Sequence, residues 1–327
     1  MVVLITGGAG FIGHHLVEHI LRNTDWEIVT LDRLDCSGNL GRLPEIRDWD
    51  KHRSRVRFVW HDLKAPISHQ IAHQIGPVNI ILHLAAGTHV DRSIEDPTLF
   101  VMDNVLGTVN LLEYARRLPL QRFLYFSTDE VFGPAPEATA YKEWARYNSG
   151  NPYAATKAGA EELCVAYANT YRVPVLITHC MNVFGERQHP EKWIPKLIRA
   201  VRDGTTVKIH ADPTKTKPGS RFYIHARNVA AAVLFVLEHG EPGDKYNVVG
   251  EREVNNLELA ELVAQHVGKH LSYELVDFHS SRPGHDLRYA LDGSKLAAMG
   301  WRLPVAFEKS LERVVTWTLE HPKWLLS

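Results

Sequence analysis

The stretch Val2-Val3-Leu4-Ile5-Thr6-Gly7-Gly8-Ala9-Gly10-Phe11-Ile12-Gly13 decides the fold. Its first five residues, mostly apolar and β-branched, read as a short buried strand. Gly7, Gly10 and Gly13 then permit a tight turn, close backbone approach to a pyrophosphate and close packing of the helix that follows, His14 to Arg22. That helix would aim its N-terminus, through Phe11 and Ile12, at the phosphates. Glycine-rich turns also occur without any ligand, so the flanking residues matter. A second apolar strand, Glu27 to Leu31, ends at Asp32, roughly 20 residues past the last glycine, where a carboxylate can bind adenosine ribose hydroxyls. Its charge disfavours a 2′-phosphate and favours NAD, while Arg33 directly after it keeps NADP open.

Further out, apolar runs at Val56 to Trp60, Asn79 to His83, Arg122 to Ser127 and Val173 to His179 alternate with helical stretches. This predicts an α/β fold: a Rossmann-type, doubly wound parallel sheet covered on both faces. Ligand chemistry then belongs at the carboxyl ends of the strands. Asp62 and Leu63 follow one strand and could contact adenine. Leu84-Ala85-Ala86 follows another, and its small residues would let a cofactor lie close, though ordinary loop packing explains them as well. Long helices are expected from Pro97 to Arg117 and from Pro152 to Tyr171, the second opened by an Asn151 cap with proline at its first position. After about Phe184 prolines become frequent, and Asp212 to Ser220 should be exposed or ordered only by ligand. A helix at Val229 to Glu238 and a strand at Lys245 to Val249 suggest a return to the first lobe. The expected organisation is an NAD-binding domain over 1–180 with a returning segment near 225–250. A smaller, mixed α/β substrate lobe covers 181–327, with an interleaved boundary and the substrate in the cleft between.

The chain has 327 residues with 37 basic and 38 acidic side chains, so nothing argues for a nucleic-acid partner or an anionic membrane surface. Three cysteines, Cys36, Cys164 and Cys180, fit a reducing compartment with neither a disulfide framework nor a cysteine metal site. With no basic leader and no apolar run of ~18 residues, a cytoplasmic location is expected. Nineteen histidines tempt a metal reading. His69 and His73, four apart, have no nearby acid or cysteine to complete a site, and His14-His15 and His179 offer no better set. No metal is expected.

Chemistry concentrates at Thr128-Asp129-Glu130, Tyr153 and Lys157. A Tyr and a Lys four apart share a helix face, so the ammonium can lower the phenol's pKa and make it a base for a substrate hydroxyl. Redox alone does not require Asp129-Glu130. A carboxylate that takes a carbon-bound proton, beside a carboxylic acid that protonates a departing hydroxyl, is what an elimination needs.

With these residues placed, the chain resembles the extended short-chain dehydrogenases/reductases. The strings Ser127 to Gly133, Asn151 to Lys157, His89-Val90-Asp91-Arg92-Ser93-Ile94, Pro190 to Pro195 and Arg282-Pro283-Gly284-His285-Asp286 resemble the dTDP-glucose 4,6-dehydratases. Leu31-Asp32-Arg33 with Ser37-Gly38-Asn39-Leu40 fits the same family. The resemblance implies Thr128, Tyr153 and Lys157 as redox triad, Asp129 as acid, Glu130 as base, and Asn39 at the cofactor. It places a nucleotide-diphosphate hexose against Thr88, His89, Asn182, Glu191, Lys192, Arg221, Asn256, Arg282 and His285. Arg221 and Arg282 would be the diphosphate clamps, since a guanidinium fork suits phosphate oxygens. It also implies a homodimer through the two long helices. Departures at Gly87-Thr88, Asn182-Val183 and His210 to Arg221 leave the base open between dTDP and UDP. A 4-epimerase or UDP-glucuronate decarboxylase shares the fold but needs no acid for a leaving hydroxyl. A 5,6-dehydratase and a redox-inactive NAD(P) sensor are the remaining readings.

Overall fold

The computed structural model describes residues 1–35, 37–277 and 287–326. Strands β1 (Val2–Thr6), β2 (Glu27–Asp32), β3 (Val56–Trp60), β4 (Ile80–His83), β5 (Arg122–Thr128) and β6 (Val175–Cys180) join Lys245–Val248 in one seven-stranded sheet. Every pairing is parallel, and the order from one edge is Lys245–Val248, β6, β5, β4, β1, β2, β3. The order reverses between β4 and β1, and such a reversal opens a crevice at the carboxyl ends of the strands.

Near-continuous apolar runs in β1, β4 and β6 follow from burial on both faces. On one face Val3, Ile5, Leu82 and Leu124 pack with Leu16, Val17 and Ile20 of helix α1 (Phe11–Asn23) and with Val229, Val233 and Val236 of the helix Ala226–His239. On the other, Leu4, Ile81, Phe123 and Ile177 meet Leu111, Leu112, Ala160 and Cys164. Each such aliphatic side chain contributes about 1.5–3 kcal/mol by leaving water. A separate core of Leu197, Ile209, Leu259, Val263, Leu311 and Val314 joins the helices Trp193–Asp203, Asn256–Val267 and Phe307–Glu320 to the strand Val207–Ala211.

One expectation is corrected. Pro97 to Arg117 is not one helix: Pro97–Phe100 runs into a π-helical turn, Val101–Leu106, before Gly107–Ala115. The buried amide of Asn104 explains the wider turn, because it reaches sideways to the Gly87 N–H (2.7 Å), the Gly87 carbonyl (3.1 Å) and the Thr156 hydroxyl (3.0 Å). The stretch from Asp212 is exposed at Pro213 to Lys217, as expected, and Asp212 accepts the Thr216 and Lys217 N–H groups at 2.8 and 2.9 Å. The Asn151 cap is as expected, taking the Ala154 N–H at 2.9 Å above Pro152 at the first turn. Among the described residues, no helix is long and apolar enough to cross a membrane.

Candidate active site

A cavity of about 910 Å³ opens along the carboxyl ends of the strands. At its floor, Gly7 sits at φ +74°, and a Cβ there would lie 2.9 Å from the Ala85 nitrogen. A Cβ on Gly13 would lie 2.1 Å from the Gly7 carbonyl oxygen, so helix α1 can approach the turn only without one. Gly10 caps α1 with no side chain of its own, leaving the first N–H groups directed at the cavity that Gly7, Gly10, Phe11, Ile12 and Gly13 line. Asp32, at the end of β2, also lines it; its oxygens accept the Ala9 N–H (3.2 Å) and the Leu34 N–H (2.9 Å), tying the strand end to the glycine turn. Asp62, Leu63, Leu84, Ala85 and Ala86 complete this wall. Asn39 does not line the cavity: it caps the short turn Leu40–Arg42, and its N–H holds the Ala9 carbonyl at 3.0 Å. A glycine cradle that any Cβ would fill, a helix N-terminus and a carboxylate at the adjacent strand end fit a dinucleotide.

Thr128, Asp129, Glu130, Tyr153 and Lys157 converge on the same cavity. The Thr128 hydroxyl donates to Asp129 Oδ1 at 3.0 Å and also meets the Tyr153 phenol, so its single hydrogen serves one of them at a time. Asp129 Oδ2 is buried and has no hydrogen-bond partner among the described residues. Burial, and then the Glu130 charge, raise the Asp129 carboxyl to about 7, against the opposing pull of Arg221 and the Thr128 hydroxyl. Glu130 is less buried and takes the Asn151 amide at 3.1 Å.

One electrostatic expectation fails. Lys157 donates to the Phe126 carbonyl (2.7 Å) and lies 4.2 Å from the centre of the Tyr125 ring. Burial lowers its ammonium to about 8. Burial and the Glu130 charge hold the Tyr153 phenol well above the usual range, with the Thr128 hydroxyl opposing them, so the phenol is protonated in this state. Sequence spacing placed Lys157 beside Tyr153 but could not weigh desolvation against it.

The substrate residues divide. Thr88, His89, Asn182, Glu191 and Lys192 line the cavity. Lys192 reaches the Thr88 carbonyl at 3.2 Å, and Asn182 Oδ1 is buried without a hydrogen-bond partner among the described residues. Arg221 and Asn256 are absent from the cavity wall. The Arg221 guanidinium donates to the Ser220 and Leu287 carbonyls, each at 2.7 Å, and stacks over Tyr289, while Asn256 accepts the Tyr223 hydroxyl at 2.8 Å. Arg282 and His285 lie outside the described residues, as does Cys36. Sequence reasoning missed Ser93, whose hydroxyl accepts the Tyr153 N–H at 3.1 Å, and the wall residues Arg92, His189, Lys196 and Arg199. Ser93 and Arg92 sit inside a string already singled out; nothing in the spacing marks the others.

His89, His189 and Glu191 bring three potential metal ligands within 4.8 Å of one another. Arg92 occupies Glu191 at 2.9 Å. Burial, with Lys192, Arg92 and His189 adding to it, lowers His89 to about 3. Arg92 and Lys192 bring positive charge to this part of the wall, beside the Glu191 carboxylate.

Comparison with known proteins agrees with this geometry. Residues 3–249 match the NAD dependent epimerase/dehydratase family. The chain is 39% identical to the low-salt glycan biosynthesis protein Agl12 of Haloferax volcanii, over 98% of this chain and 99% of that one. It is 35% identical to dTDP-glucose 4,6-dehydratase 1 of Escherichia coli strain K12, over 99% and 94%. The crystal structure of DesIV, a dTDP-glucose 4,6-dehydratase from Streptomyces venezuelae with NAD and TDP bound, superposes with a TM-score of 0.89 at 35% identity, covering 99% of this chain and 98% of that one. On its fold, its glycine cradle and its sequence, the chain belongs to the NAD dependent epimerase/dehydratase family.

Proposed function

We propose that the protein is an NAD-dependent nucleotide-sugar 4,6-dehydratase that converts dTDP-glucose, as its similar relatives are named for doing, to the 4-keto-6-deoxy sugar. The observation that carries this reading is the carboxyl pair at the end of β5. Asp129 is buried, raised to about 7 and keeps one oxygen unpartnered among the described residues, while Glu130 beside it is the more exposed acid. Two adjacent carboxyl groups whose environments differ this way can divide acid and base work between them.

Bound NAD⁺ supplies the hydride acceptor for C4, returns the hydride at C6, and brings on its oxidised ring the positive charge a buried phenol needs to ionise. Tyr153, hydrogen-bonded to Thr128, takes the proton of the 4-hydroxyl. The resulting ketone acidifies the C5 proton, and Glu130 removes it. Asp129 gives its proton to the 6-hydroxyl, which leaves as water, and when the hydride reaches C6 Glu130 returns a solvent-exchanged proton to C5. An epimerase or decarboxylase has no use for that protonated acid. Arg92, Lys192, Lys196 and Arg199 on the cavity wall supply positive charge for the sugar's diphosphate. The substrate lobe would then comprise 181–327, and the enzyme would work in the cytoplasm. Exposed Leu99, Val101, Met102 and Tyr171 support a homodimer through the segments that carry them, which sedimentation equilibrium tests directly: a monomer at micromolar concentration rejects it.

The roles separate in Glu130→Gln. Single-turnover C4 oxidation, seen as NADH absorbance, should survive, while solvent-deuterium incorporation at C5 should vanish. Equal loss of both steps in a folded variant would overturn the assignment of Glu130.

A further inference from the structure

Arg33 follows the ribose-binding carboxylate Asp32 and lines the same cavity, where a free guanidinium would welcome a 2′-phosphate. It is not free. Asp103, in the π-helical turn Val101–Leu106, grips it with both oxygens, at 2.5 Å to Nη1 and 2.7 Å to Nη2. Asp35 takes Nε at 3.0 Å and Nη2 at 2.7 Å, and Asp62 stands 3.6 Å from Nη1. The Asp103 side chain is only 5% exposed, so water hardly competes for that pair. Three carboxylates therefore face one guanidinium with Asp32 as a fourth beside them, against which Lys64 (3.3 Å from Asp62) and Arg42, which acts on Asp32, are the other cations nearby. The patch is net negative where a phosphate of charge about −2 would have to sit.

We infer that Asp103, with Asp35, is a specificity-determining residue: it silences Arg33 and so makes the adenosine subsite reject NADP in favour of NAD. The inference rests on the dinucleotide reading of the cradle but not on dehydration. Asp103 lies 70 residues from its partner, and it lines the same cavity itself. Releasing Arg33 should turn a shielded cation into a phosphate ligand, whereas NAD, which has only hydroxyls there, keeps Asp32.

Binding rather than turnover tests this. Trp60, 59% exposed, donates its indole N–H to the Arg33 carbonyl at 3.0 Å, so its fluorescence should report nucleotide at the subsite. The ratio of NADP⁺ to NAD⁺ dissociation constants is read for wild type, Asp103→Asn, Asp35→Asn and the pair. The ratio should fall at least tenfold in Asp103→Asn, further in the pair, and return towards the wild-type value when Arg33→Ala is added. If Asp103→Asn disturbs the fold, shown by loss of NAD⁺ binding, Asp35→Asn on the exposed side decides, with at least a threefold fall expected. An unchanged ratio in every folded variant, or a fall that persists without Arg33, overturns the inference. Loss of dehydratase activity with the ratio shift intact would count against the proposed reaction and leave this specificity assignment standing.

Discussion

Asp129 is made useful by being made uncomfortable. Its side chain ionises at 3.8 in an unfolded chain and at about 7 in the folded one, because burial and the neighbouring Glu130 penalise its charge. A folded pKa above the unfolded one means that the folded state holds the proton more tightly. The resulting destabilisation is therefore absent below pH ~4, grows as pH rises towards about 7, and is complete above it. At about 1.4 kcal/mol per pH unit its ceiling is ~4 kcal/mol. Asp129→Asn keeps the shape and removes the charge, so its melting temperature should exceed that of the wild type by several degrees at pH 8 and match it near pH 4. A variant less stable than wild type at pH 8 would show that the carboxylate is not strained. The same residue should lose elimination while it gains stability, the trade expected of a site built for chemistry rather than for folding.

At the scale of elements, the helix Pro152–Tyr171 does more than carry Tyr153 and Lys157. One turn past Lys157 on the same face, the fully buried Glu161 takes His179 Nε2 of β6 at 2.9 Å, Lys245 Nζ of the edge strand at 2.9 Å, the Ser127 hydroxyl of β5 at 2.6 Å, and the Tyr147 hydroxyl. Burial alone would raise this carboxyl, but His179, Lys245 and Ser127 outweigh it and hold the carboxyl far below the usual range. Glu161 thus pins the helix that carries Tyr153 and Lys157 to three adjacent strands, immediately behind Thr128. In Glu161→Gln, Lys245 and His179 would face a buried amide, and the denaturation midpoint should fall by about 3–5 kcal/mol of stability. A change under about 1 kcal/mol would mean that the network is not holding the helix. Little of this was legible in advance. Spacing four apart along a helix reveals Tyr153 with Lys157, and an apolar run reveals where β5 delivers Thr128 to Glu130, because both signals are local. The partners of Glu161, the grip of Asp103 on Arg33 and the sideways reach of Asn104 join residues tens of positions apart. No periodicity records them. The break of Pro97 to Arg117 into three pieces was hidden for the same reason, since what widens the turn is a buried amide answering Gly87 and Thr156.

For the whole molecule, the parallel sheet explains why one cavity can serve the complete cycle. Every strand end faces the same way, so the cradle after β1, the carboxylate of β2, the small residues after β4 and the carboxyl pair of β5 all open on one space. The more basic wall from Lys192 to Arg199 lies across from them in sequence order, on the elements that belong with the second core. The arrangement permits oxidation, elimination and reduction without release of an intermediate, and the nicotinamide should end each turnover as it began. Mass spectrometry of the product formed from dTDP-glucose with catalytic NAD⁺ tests this most directly. The product should be a sugar nucleotide lighter by one molecule of water, with no NADH accumulating; a product of unchanged mass, epimerised at C4, would rule out the dehydration.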